Sequence, residues 1–380
     1  MRNSITTFRR DLSRRAIDGP TVSAVSLHGH TLHSHEGMQF IPRIVRSIPP
    51  LRHAIDAAAR KRGCAGMDEV DWSCVYWTPP LTPRQALELE ETQIRSLGLR
   101  PLVSLTDHDD ISAPVHLNAL PQWCGAMPIS VEWTVPFGDT FFHAGIHNLP
   151  GGDVQQLWSG MAAAAGSRDQ ARIGRILAGL RDLPGTLVVV NHPCWDEKGV
   201  GGARHRQALR EMLTAFAGSI DALEWNGFRP HAENLETVEW ATHFDLPVVS
   251  GGDRHGLEPN ACLNLTAEQT FQDFADEIRN ERVSRVLLQP QYFQPRTLRV
   301  IHHMWEILRD DPDHGLGWTR WNQRIFYRDN KGAIRPLAEC WGGRAPFILS
   351  AFVWMVQLMG HAPVRNAVRT ALSIGQESGS

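Results

Sequence analysis

Paired cysteines are missing from this chain. Cys64, Cys74, Cys124, Cys194, Cys262 and Cys340 stand singly and no CxxC occurs. That pattern argues against a disulfide framework and against a thiolate zinc site, and for reduced cysteines in a cytoplasmic protein. A dominant charge is missing too. The net charge is −3, so no global field would draw the chain to duplex nucleic acid or to anionic lipid. The basic N-terminus MRNSITTFRRDLSRR has no apolar core behind it and does not read as a secretory signal. No apolar run is of membrane-spanning length. The run Ala345 to Gly360, APFILSAFVWMVQLMG, would be about 24 Å long as a helix, against a hydrocarbon core of roughly 30 Å. It reads as a buried helix or as a contact in a homo-oligomer, with membrane attachment beside Arg344 and Arg365 as the lesser alternative. Short-period repeats and low-complexity segments are also lacking.

What is present points to an ordinary globular protein. The chain has 380 residues, 42% apolar and 21% charged, enough for one large domain of barrel size with an appendage. Histidine and tryptophan are the unusual entries, at 18 and 13. Six apolar runs end in polar residues of ligand type: VSAVSLHGH, RPLVSLTDHDD, AMPISVEW, GTLVVVNHP, IDALEWNG and LPVVSGGDRHG. Helix-like stretches such as PRQALELEETQIRSLG and ENLETVEWATHFD lie between most of them. This alternation predicts βα units around a parallel sheet. In a βα barrel the C-terminal strand ends share one rim, so the six polar clusters would meet there. We therefore expect a barrel domain over 1–295, with an inserted loop region at about 39–83 that suits a lid, and an extension over 296–380. RIFYRDNKGAIRPL in that extension reads as a hairpin.

The densest cluster is SLHGHTLHSHEG, Ser26 to Gly37. His28 and His30 are two apart, and on a strand residues two apart point to the same side. Later runs add Asp107, His108 and Asp109, then Glu132, His143, His147, His192, Asp253 and His255. A carboxylate such as Glu132, at the end of a run that looks buried, needs a cation or a set of donors. Imidazoles and carboxylates without thiolates suit manganese, zinc or iron. The count exceeds one ion's needs and fits two or three divalent metals bridged by Glu132.

These motifs resemble those of the PHP family, the polymerase and histidinol phosphatase domain. The family's opening pattern is roughly DLHxHTxxSD, and SLHGHTLHSH keeps His28, His30, Thr31 and Ser34. TDHD stands intact at Thr106 to Asp109. Glu132 resembles the bridging glutamate, His143 and His192 the two later histidines, and Asp253 and His255 the closing DxH. With His35 in the third ligand place, all nine metal positions of the family are filled, and the resemblance covers about residues 22–290. Ser26 stands where an aspartate is usual, His35 also replaces an aspartate, Arg254 occupies a place where a small residue is common, and the Trp-rich insertion has no counterpart.

The resemblance implies a distorted (β/α)7 barrel that hydrolyses a small-molecule phosphate ester through a metal-activated hydroxide. Two ions ~3.5–4 Å apart can activate water and clamp phosphate oxygens together. The implied shells are His28, His30, Glu132 and Asp253 for one ion, and His35 and His108 with shared Glu132 for a second. His143, His192 and His255 fill the remaining places. Asp253 and His255 carry the catalytic role, with Arg204, Arg206, Arg229 and Arg254 as candidates to neutralise phosphoryl charge. His33, His147, His205 and His231 are left outside the metal set, and Asp107 and Asp109 are expected to orient ligand imidazoles. Glu224 and Asn226 are expected at the same rim. Trp72, Trp77, Trp133, Trp195 and Trp225 either stack on a substrate ring or pack, and nucleotide-like substrates are placed slightly ahead of sugar phosphates. Two rival readings are C–N hydrolysis of the amidohydrolase kind and a non-catalytic metal-stabilised scaffold. No lysine ends a strand-like run, which counts against a carbamylated bridge.

Overall fold

A computed structural model describes residues 3–12, 21–39, 42, 46–47, 49–62, 68, 70–312, 314–329, 331–340 and 347–360. In chain order its strands begin with β1 (Ile5–Arg9), β2 (Ser23–Ser26), β3 (Glu36–Gly37), β4 (Tyr76–Trp77) and β5 (Arg100–Val103). They continue with β6 (Ile129–Phe137), β7 (Thr140–Leu149), β8 (Leu187–Asn191), β9 (Ala222–Asn226) and β10 (Val248–Gly251). The last are β11 (Cys262–Thr266), β12 (Val283–Leu288), β13 (Ile325–Arg328) and β14 (Ile334–Pro336). Contacts divide the chain into two compact units, Met1–His33 with Pro83–Arg254 and Glu258–Phe293, and Ser34–Thr82 with His255–Leu257 and Gln294–Ser380. The 39–83 insertion thus groups with the C-terminal extension rather than with the segments that flank it in sequence.

The larger unit is mixed α/β. Its sheets run β1-β12-β11-β2-β5 and β10-β9-β8-β7-β6, and neither closes on itself among the described residues. The all-parallel expectation fails at β7. FFHAGIH, which has no place among the six predicted runs, is a strand that turns back from β6 across Gly138–Asp139, with Gly138 at φ 57°. Such two-residue turns need positive φ, and glycine supplies it cheaply. β7 also pairs antiparallel with β8, and β11 pairs antiparallel with β2 and β12. Two isolated parallel bridges, Gly29↔Arg254 and His108↔Glu132, join residues of the two sheets just past β2 and β5.

Strand alternation separates two apolar cores. Val25, Leu187, Val189, Ala222 and Val249 pack with Phe271, Phe274 and Ile278 in one. Val131, Trp133, Val188, Val190, Leu223, Trp225 and Val248 pack with helical residues such as Ile173, Leu177 and Leu209 in the other. β8 and β9 are therefore buried on both faces and read as continuous runs. Trp133 and Trp225, 0% and 3% exposed, are packing residues. On the first face the apolar series ends in polar side chains, Leu187 and Val189 giving way to Asn191, and Ala222 to Glu224 and Asn226.

The smaller unit contains the four-stranded sheet β14-β13-β4-β3. β13 and β14 form the expected hairpin, pairing Phe326 with Pro336 and Arg328 with Ile334. The insertion is not a bare loop, since it holds the helix Pro49–Arg62. The apolar run forms the helix Phe347–Gly360, in which Val353 and Val356 pack with Leu308 and Trp305. Phe347, Trp354, Met355 and Leu358 are exposed, so this helix is buried along one side only. No helix among the described residues is long and apolar enough to cross a membrane.

Candidate metal centre

Glu132 is the hub of the site. It lies on β6 between Val131 and Trp133, which face the helical core, so alternation sends its carboxylate to the opposite face. It is fully buried. Its Oε2 is 3.1 Å from His28 Nε2, 3.4 Å from His30 Nε2 and 3.1 Å from His108 Nδ1. Its Oε1 is 3.4 Å from His143 Nδ1 and 3.2 Å from His192 Nε2, and accepts from Asn191 Nδ2 at 2.9 Å. Asp253 Oδ1 adds a second carboxylate 3.7 Å from His28 Nε2 and 3.6 Å from His30 Nε2. Seven of the nine ligands expected from sequence thus converge in the larger unit.

The backbone at these positions is unusual. His28, Asp109, His192 and Asp253 have φ of 62°, 49°, 29° and 52°. Residues other than glycine avoid this region, and such strain collects at functional sites. It also corrects the strand argument for HxH. β2 ends at Ser26, so His28 and His30 converge through a left-handed turn held by the bridge at Gly29, not through strand alternation.

Neighbouring groups orient the imidazoles. Glu224 Oε1 lies 2.5 Å from His28 Nδ1, which leaves Nε2 facing Glu132 and Asp253. Glu224 Oε2 accepts from the His192 backbone at 2.8 Å and from Asn226 Nδ2 at 3.0 Å, and Asn226 also donates to Asp253 Oδ2 at 3.2 Å. This carboxylate–histidine arrangement is the usual support of a metal-binding imidazole. Asp107 grips the loop, accepting from Thr31 N at 2.5 Å and from Thr31 Oγ1 at 2.7 Å, and Asp109 accepts from Thr134 N at 2.8 Å.

The charges are coupled. Burial pushes the Glu132 carboxyl up, but His108, His28 and His143 outweigh it and hold the group well below the usual carboxylate range. Burial lowers His28, yet Glu132, Glu224 and Asp253 together raise it well above the ordinary histidine value. His147 sits beneath the cluster with Nδ1 2.7 Å from Ser104 Oγ, and burial, aided by His28, drops it to about 3, so it stays a neutral hydrogen-bonding group.

The residues fit divalent cations. His28 Nε2, Glu132 Oε2 and His143 Nδ1 are buried without a hydrogen-bond partner among the described residues, a costly state unless an ion serves them. Tetrahedral ligands at ~2.0–2.1 Å from zinc lie about 3.3 Å from one another, and the separations of 3.1–3.7 Å bracket that spacing. Two of the ligand groups lie wholly within the larger unit, His28 with His30 and Glu132, and His108 with Glu132 and His143.

The other expected site residues have the following neighbours. In the smaller unit His35 is exposed and stacks on Tyr76, with ring centroids 4.1 Å apart. His255 Nε2 pairs with Glu36 Oε2 at 3.0 Å, and Ser34 Oγ donates to Glu36 Oε1. Glu36, adjacent to His35 in SHEG, is among the residues that could hold a metal ion. Arg204 is exposed and pairs with Asp139, Arg206 pairs with Glu236, and Arg229 pairs with Glu233 while lying 4.3 Å from the Trp195 ring centre. Arg254 is buried against Glu90. A shallow, solvent-open depression beside the centre, with enclosed room for about one water, is lined by Phe141, Phe142, His143, Asn191, His192, Trp195 and Glu197.

No protein-family model matches the chain, and no curated protein matches it. Three solved structures are similar at low identity. A candidate metal-dependent phosphoesterase from Bifidobacterium adolescentis is 19% identical, over 53% of this chain and 91% of that one, with a TM-score of 0.33. An amidohydrolase from Chromobacterium violaceum, with bound sulfate and no metal, is 18% identical over 47% and 83%, at 0.30. PsfC from Pseudomonas syringae is 15% identical over 71% and 93%, at 0.36.

Proposed function

We infer that the protein is a cytoplasmic, metal-dependent phosphoesterase that hydrolyses a small-molecule phosphate ester. The observation that carries this reading is the buried carboxylate of Glu132, with five imidazoles within 3.4 Å and Asp253 beside them. The PHP-like motifs supply the phosphate ester. On this reading the two sheets and their bridges are an interrupted (β/α)7 barrel with its polar rim at the metal centre. His28, His30, Glu132 and Asp253 would hold one ion, and His108 and His143 a second that shares Glu132. His192 supports the Oε1 side, and His35 and His255 join the set on the motif resemblance. When bound, manganese, zinc or iron ions supply an activated water and neutralise phosphoryl charge.

The chain's own residues set the geometry. Glu224 fixes the His28 tautomer, Asn191 holds Glu132, and Asn226 turns Asp253 so that Oδ1 faces the histidines. Arg204 remains a proposed phosphate contact from sequence. Trp195, whose ring centroid is 5.1 Å from that of His192, and Phe141 offer rings to a nucleotide-like leaving group. The test is phosphate release from manganese-loaded protein against phosphomonoesters and phosphodiesters, nucleotides included. Release that is lost in Asp253→Asn, by at least about 100-fold, is the expected result. Amide cleavage with no phosphate release, from protein shown to hold its ions, would replace this reading with C–N hydrolysis. No turnover of either kind would leave a metal-stabilised scaffold.

A further inference from the structure

Arg254 stands between Asp253 and His255, where an arginine is easily taken for a phosphate clamp. Its surroundings say otherwise. The residue is 5% exposed, and its Nε donates to Glu90 Oε1 at 2.9 Å. Glu90 lies on the helix Pro83–Ser96 and is itself 1% exposed. Its remaining acceptor capacity is taken up nearby. Oε2 accepts from Ser26 Oγ at 3.0 Å and from Asn260 N at 3.2 Å, while Asn260 Nδ2 reaches Ser26 Oγ at 2.6 Å and the Leu27 carbonyl at 2.9 Å.

The same arginine is tied to the HGH turn through its backbone. His30 N donates to the Arg254 carbonyl at 2.9 Å, and Arg254 N donates to the His28 carbonyl at 3.4 Å. Its guanidinium lies over Gly29, where a Cβ would come within 3.2 Å of Nη2. The two segments it joins contain His28 and Asp253, both in the left-handed region, and strained loops persist only where their surroundings over-determine them. A buried ion pair is a poor source of net stability, since desolvation consumes most of the attraction. Its use here is geometric.

We propose that Glu90 and Arg254 are a positioning pair that locks the HGH turn against Asp253, and that Arg254 does not contact substrate. The proposal rests on the metal-centre reading above. The test titrates metal-free protein with Mn²⁺, records thermal midpoints, and measures kcat and KM on a phosphomonoester that the wild type hydrolyses. Glu90→Gln and Arg254→Lys should each weaken Mn²⁺ binding by about 10–100-fold. At saturating Mn²⁺ they should leave KM unchanged, and their combination should be no worse than either alone. The apolar pair Glu90→Leu with Arg254→Met should recover the thermal midpoint but not the Mn²⁺ affinity. Recovery of both would overturn the proposal, because the pair would then only fill space. A KM raised about tenfold in Arg254→Lys, with full Mn²⁺ affinity and a silent Glu90→Gln, would make Arg254 the phosphate clamp after all. A wild type that hydrolyses no phosphate ester but binds Mn²⁺ sinks the phosphoesterase reading alone, and the titration still decides the pair. A wild type that binds no divalent metal sinks both.

Discussion

Single atoms decide whether this centre assembles. Gly251 ends β10 beside Glu224, and a Cβ there would fall 1.7 Å from Glu224 Oε1 and 2.8 Å from His28 Cβ. Gly251→Ala should therefore push Glu224 off His28. We expect a loss of roughly 1–3 kcal/mol of stability from overpacking, with weaker Mn²⁺ binding, read by denaturant unfolding and metal titration. Away from the centre, Asp221 accepts from Val188 N at 2.9 Å and pairs with Arg181 at 3.0 Å. Burial raises its carboxyl above the ordinary value despite those partners. The folded protein then keeps a proton that the unfolded chain has released. This contribution to stability is full below the unfolded pKa of about 3.9 and is lost as pH rises through the folded value. Asp221→Asn should flatten that decline, which urea midpoints measured upward from about pH 4 will show.

At the scale of elements, the site is built from strand segments and the turns just past them. β6 supplies Glu132, β8 ends in Asn191 with His192 just beyond, and β9 carries Glu224 and Asn226. β8 and β9 are apolar at the start and polar on the same face at the end, which is why their clusters were legible from the sequence, whereas Glu132, expected at a strand end, lies within the nine-residue β6 and is followed by five further strand residues. β7 was not legible in that way. FFHAGIH reverses direction, so its polar residue, His143, comes near the start and pairs with Asn191. Glu224 shows what a strand end does beyond ligation. In Glu224→Gln the amide no longer holds the His28 imidazole as a carboxylate does. Metal affinity should fall by about 10–100-fold with little change in thermal midpoint of the metal-free protein. Isothermal titration with Mn²⁺ distinguishes this from a folding defect.

For the whole molecule, metal and stability should be linked. Ions that bind the folded chain and not the unfolded one stabilise it, by about 2.7 kcal/mol per site when free ion is on the order of 100 times Kd. Chelation should lower the thermal midpoint by several degrees and Mn²⁺ should restore it, whereas Glu132→Ala should start low and respond to neither. A chelator with no effect on purified, metal-analysed protein would count against a structural metal centre. The division into units also governs where the chain tolerates truncation. Residues 34–82 and 294–380 belong to one unit although more than 200 residues separate them, so a cut at 295 would remove part of that unit and strand the rest.

The sequence by itself determined the donor types of the candidate site, imidazole and carboxylate without thiolate. Spacing and residue type were enough to bring out His28, His30, His108, Glu132, His143, His192 and Asp253, because ligand identity is a local property and strand polarity repeats along the chain. It also located most of the strands, since β-branched runs of four to six residues leave a local imprint. Only the tertiary structure decided the rest. Glu90 looks in sequence like one more acidic residue of an amphipathic helix, and its burial against Arg254 depends on contacts 164 residues apart. Glu36 is marked by nothing except its place beside His35. The left-handed turns at His28, His192 and Asp253, the reversed strand β7 and the union of the insertion with the C-terminal extension are likewise outcomes of long-range pairing. Local pattern can name the ligands of a centre; which backbone turns aim them, and which buried partners hold those turns, is set by residues the pattern cannot connect.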